Sequence, residues 1–124
     1  MKRLLAIAAS AEALTGLALL VLPAVVIRLL LGSGGAGVEL LLGRIVGAAL
    51  IALAIACWPA QEAPRTLRQQ CMAMLAYSGS VALLFSYVGL IGLGGPLLWP
   101  AALFHAAMTA LLAMPWAPAR NMSH

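Results

Sequence analysis

Charge is the scarcest commodity in this sequence. Seven Lys and Arg and three acids make up 8% of 124 residues, whereas 65% are hydrophobic and the mean hydropathy is +1.08. That leaves too little polar surface to clothe a soluble globule, so a lipid bilayer is the expected solvent. The formal charge of +4 does not indicate nucleic-acid binding, because the cations are scattered around apolar segments, where they orient a chain and meet anionic lipid headgroups. Polar runs are equally short. Each helical crossing takes roughly 20 apolar residues, so four of them leave no room for a soluble catalytic domain. Phosphate loops, an HExxH helix and a nucleophile elbow are all missing, which excludes the enzyme classes they mark. Cys57 and Cys71 belong to no CxxC pair and read as free thiols. Met72, Met74 and Met108 are accompanied by no Met or His cluster and read as lipid-facing or packing residues rather than a copper path, so no metal site is expected. No repeat of fixed period supports an inverted-repeat transporter.

What is present is apolar sequence in four blocks, at about 4–22, 38–58, 70–91 and 97–116. The expected fold is all-α: a polytopic membrane protein whose single domain, 1–124, is a compact bundle of four transmembrane helices. Lys2 and Arg3 before an apolar run imitate a signal peptide, with Ala9-Ser10-Ala11 as its cleavage site. The apolar stretch ahead of that site is too short, so residues 4–22 are read as an uncleaved first span. Pro23 opens residues 24–31, a short apolar stretch carrying Arg28 that suits a helix lying in the interface. Residues 32–37 form a glycine-rich turn, residues 60–69 the most polar loop, and residues 92–96 a second glycine turn.

With four spans, Lys2, Arg3, Arg65, Arg68 and Arg120 fall on one side and Arg28 on the other. The cation-rich side, holding both termini, is therefore cytoplasmic in a bacterial inner membrane. Trp58, Trp99 and Trp116 sit at span ends as interface anchors, and the step from Trp99 to Trp116 covers about 26 Å at helical rise. Gly43 and Gly47 make a GxxxG step that Ala48 extends, and Gly16 does likewise on the first span; such faces pack against other helices or a second copy.

Ionisable groups within the spans are costly and by default face partners rather than lipid. At helical rise Glu12, Arg44 and His105 lie at different depths below the outer surface, Glu12 the deepest and Arg44 the shallowest. Long side chains can bridge such offsets, and Tyr77, Ser80 and Thr109 offer polar faces on the third and fourth spans. One contiguous polar cluster is expected. It has three readings: a Glu12–Arg44 ion pair that fixes helix register with His105 beside it, a proton or ion site in which Glu12 titrates and His105 relays, or a place for lipid, quinone or haem. Haem fits least, since one membrane histidine supplies one axial ligand per chain and His124 cannot supply the second. Arg28 and Glu39 can pair across the outer glycine turn.

Glu12 with Gly16, Leu22-Pro23, Leu30-Leu31-Gly32, Gly43-Arg44 with Gly47, and Cys57-Trp58 together resemble small bacterial four-helix inner-membrane proteins, including DoxX-like and uncharacterised families. That resemblance spans the whole chain and implies placement rather than activity. Ala11-Glu12 is also similar to the first-span glutamate of the small multidrug-resistance transporters, which would make Glu12 a shared site for protons and cationic drugs. Arg44 and the one-sided cations depart from that pattern. The leading expectation is a non-enzymatic accessory bundle that contacts lipid, itself or a larger membrane complex, with no cofactor predicted. A small proton-coupled transporter and a lipid-, quinone- or haem-binding redox subunit are the alternatives.

Overall fold

The computed structural model describes residues 1–60 and 63–116. Among these the chain is wholly helical: α1 (Lys2–Val21), α2 (Pro23–Leu31), α3 (Val38–Ala56), α4 (Pro64–Leu90) and α5 (Leu98–Ala113), closed by a 3-10 turn, Met114–Trp116. Glu62, Arg120 and His124 lie outside the described residues. Three helices, α1, α3 and α4, are long and apolar enough to cross a membrane, and α5 is a shorter apolar helix of 16 residues.

Two tight antiparallel pairs build the bundle, α1 with α3 and α4 with α5, and α1 is the hub that also touches α2, α4 and α5. The buried stripe of α1 follows helical spacing: Leu5, Ala8, Ala9, Glu12, Gly16 and Leu19. At the Lys2 end it meets an apolar core of Leu5, Ala8, Cys57, Cys71, Met74, Met108 and Leu112. Outward faces are also apolar, with Leu14, Ile55, Leu83 and Leu90 all more than two-thirds exposed, a surface suited to hydrocarbon rather than water.

α4 starts earlier than the sequence suggests. Residues 64–69, expected as loop, are helical because Pro64 is pre-set for the first turn and the cations after it are good helix formers. The join below is held by Gln70, whose amide donates to the carbonyl oxygens of Ala56 at 3.0 Å and Trp58 at 3.2 Å, satisfying the end of α3.

At the opposite end Pro23 opens α2 and Gly32, at φ 78°, ends it in the left-handed conformation. Two backbone bonds then dock α2 on the α4–α5 turn, Gly95 N–H to Leu30 oxygen and Leu97 N–H to Leu29 oxygen, both 2.9 Å. Only glycine fits at 95, since a Cβ there would collide with the carbonyl oxygens of Arg28 and Leu29.

Candidate functional site

Between the two helix pairs, one turn beyond the apolar core, the buried stripes of α1 and α5 each carry one ionisable residue. Glu12 is 2% exposed and His105 8%. The Tyr77 phenol on α4 donates to Glu12 Oε2 at 2.9 Å, and His105 Nδ1 faces Glu12 Oε1 at 3.9 Å. Three helices and both pairs therefore meet on one carboxyl group.

At 3.9 Å the imidazole is within ion-pair reach but beyond hydrogen-bond reach. His105 Nδ1 is buried and has no hydrogen-bond partner among the described residues. Its ring lies edge-on to Tyr77 at 5.7 Å, Phe104 at 5.5 Å and Phe85 at 6.3 Å between centroids, so apolar rings hold it in line with the carboxyl group. Chemically the trio is a proton-handling set, since a phenol, a carboxyl and an imidazole can each hold or pass a proton at short range.

Arg44 is absent from this cluster. It lies on the exposed side of α3, and no ion pair among the described residues includes it. The reason is rotational. Gly43 and Gly47 turn inward, where they allow α1 and α2 to approach, and a neighbouring residue points about 100° away from Gly43. A register-fixing Glu12–Arg44 pair is thus not part of this arrangement.

Ser80 and Thr109 are also apart from it. The Ser80 hydroxyl, exposed, donates to Ala76 oxygen at 2.8 Å, and that of Thr109 to His105 oxygen at 2.7 Å, each within its own helix. Ser78, 1% exposed, is a further hydroxyl that α4 buries. Neither it nor Gln70 stands out from sequence alone, because each is one polar residue on a long helix whose facing is not evident beforehand.

Gly16 and Gly47 meet face to face: a Cβ on either would come within 2.6 Å of the other's carbonyl oxygen. Ala48 is exposed and takes no part in that seam. Trp58 and Trp99, both about half exposed, lie toward opposite ends of the bundle, and Trp99 covers Gly89. Trp116 closes the 3-10 turn.

Arg28 and Glu39 do not pair either. The Arg28 guanidinium lies over Gly34, and Glu39 instead accepts the Ala36 N–H at 3.1 Å. Cys57 and Cys71 are buried free thiols. No metal-binding group of histidine, cysteine or acidic residues is found among the described residues.

No protein-family model, curated protein or solved structure matches this chain.

Proposed function

We propose that this is a four-pass protein of the bacterial inner membrane, termini cytoplasmic, working as a small proton-coupled transporter with Glu12 as its proton-binding group. The observation that carries this reading is a buried carboxyl with no arginine or lysine paired to it among the described residues, held by Tyr77 at 2.9 Å and faced by His105 at 3.9 Å. Charge at such depth must be compensated. A proton on the carboxyl, transfer of that proton to His105, or a cationic solute would each do so, and exchange among them is coupling. The exposed position of Arg44 also removes one departure from the small multidrug-resistance pattern, since no fixed cation competes with a cationic solute at Glu12.

The fourth crossing is argued from length. α5 contributes about 24 Å and the 3-10 turn about 6 Å, together close to the hydrocarbon thickness of about 30 Å. Lys2, Arg3, Arg65 and Arg68 gather toward one end of the bundle while Arg28 sits toward the other, the asymmetry that sets orientation.

Ethidium serves as a cationic probe. Vesicles with an acidic lumen and the reconstituted protein should take it up in exchange for protons, and Glu12→Gln should reduce uptake to the level of protein-free vesicles. Equal uptake by wild type and Glu12→Gln would overturn the proposal.

An accessory role is the second reading, favoured by Arg44. A guanidinium on an otherwise apolar outward face of α3, flanked by Leu41, Ala48 and Ala52, is explained if a partner helix covers that face.

A further inference from the structure

Away from Glu12, an apolar groove of about 350 Å³ opens between α2 and α3. Its floor and walls include Leu19, Ile27, Leu30, Leu42 and Val46, with Phe85 of α4 also lining it. Gly43 helps keep it open, since a Cβ there would come within 3.2 Å of the Ile27 side chain. Among the described residues the polar ones lining the groove are Ser33 and Glu39, both by the glycine turn.

Two opposite charges flank that turn without neutralising one another. The Arg28 guanidinium lies against Gly34, and the Glu39 carboxylate lies against Gly35. All three polar residues, Arg28, Ser33 and Glu39, are exposed. A cation and a carboxylate thus lie against two adjacent glycines of the turn, the carboxylate at the polar edge of the apolar trough and the guanidinium just beyond it, at the end of the bundle where a headgroup layer is expected.

We propose that this groove is a binding site for a phosphatidylethanolamine molecule. One acyl chain fills the trough, the lipid phosphate meets Arg28, and the primary ammonium donates to Glu39. Glu39 can do this while still accepting from Ala36, because a carboxylate offers about four lone-pair positions. Anionic lipid satisfies Arg28 but meets repulsion at Glu39, so the pair of charges selects a zwitterion. The proposal is independent of any proton chemistry at Glu12.

Native mass spectrometry of the purified protein, with equal amounts of phosphatidylethanolamine and phosphatidylglycerol added, tests it. Wild type should retain one phosphatidylethanolamine in about ten-fold preference, the ratio that one charge-assisted hydrogen bond supplies. Glu39→Gln, which keeps an acceptor for Ala36 N–H, should erase the preference, and Arg28→Gln should weaken retention of both lipids. Val46→Trp, at a half-exposed position, should block the trough and release either lipid without disturbing the interior. Equal retention of the two lipids by wild type, or unchanged retention in Val46→Trp, would mean annular lipid only and overturn the proposal. Helical circular dichroism and elution volume confirm that each variant is folded.

Discussion

The two seams along α1 are built on opposite principles. Against α3 the helix presents Gly16 to Gly47, and backbone meets backbone with no side chain between them. Against α4 and α5 it presents Glu12, and side chains from three helices span the gap. The first seam gains dispersion contact and close approach and has no chemistry to offer. The second gives up close approach for groups that can change protonation. A small bundle can afford a reactive interior on one side of its central helix when the other side is locked by shape.

The largest effect should come from filling the glycine seam. A Cβ on Gly16 would meet Gly47 oxygen at 2.6 Å and Leu50 Cβ at 3.1 Å, atoms tied to backbone that cannot rotate away. Gly16→Ala should therefore cost about 3 kcal/mol, at the upper end for overpacking, and Gly16→Leu should prevent the pair from forming. Reversible unfolding in mixed micelles reads this. A loss below about 0.5 kcal/mol for Gly16→Ala would show that the seam is loose.

The polar seam should respond less, and unequally at its two partners. Tyr77→Phe removes the donor and leaves the buried Glu12 carboxyl without the hydrogen bond it has among the described residues, costing about 1–3 kcal/mol. Glu12→Gln keeps an acceptor for the phenol and removes no partner of Arg44, so its cost should stay near 1 kcal/mol. Were Glu12→Gln the more damaging of the two, by the 3–5 kcal/mol typical of a broken buried ion pair, His105 would have to be standing protonated against an ionised Glu12 in the resting protein.

Much of this contrast can be read from the sequence, but not its geometry. Glu12, Tyr77 and His105 are conspicuous because polar groups are so rare here, and scarcity alone singles them out. The helices follow from apolar run lengths, and α2 from Pro23 and Gly32. Rotation about each helix axis is what apolar sequence conceals. Lipid and core both take leucine and alanine, so α3 carries little periodic signal to say which face is inward. Arg44 shows the consequence: charge argues for an inward position, whereas the adjacent Gly43 and Gly47 claim the inward face for close packing. Small-residue spacing was the better guide, because close approach depends on the glycine face alone, whereas a long arginine can meet a headgroup or partner from outside. Likewise, hydropathy makes α4 look short because its first turns are polar, and polarity marks the edge of the hydrocarbon rather than the end of a helix.

The smallest effect belongs to Arg44. Being exposed and off both seams, it should tolerate Arg44→Gln with a change below about 0.5 kcal/mol in the unfolding of the isolated chain. Assembly separates the two accounts of its position. A cysteine at Ala48, next on the same outward face, should cross-link to a second copy or a partner in native membranes if α3 is covered, and Arg44→Gln should abolish that cross-link. If instead the guanidinium reaches back toward the near headgroups, as the tilt of helical side chains toward the N-terminus favours, Ala48→Cys should stay monomeric with or without the arginine. In that case the chain works alone, and the outer face of α3 is simply its boundary with lipid.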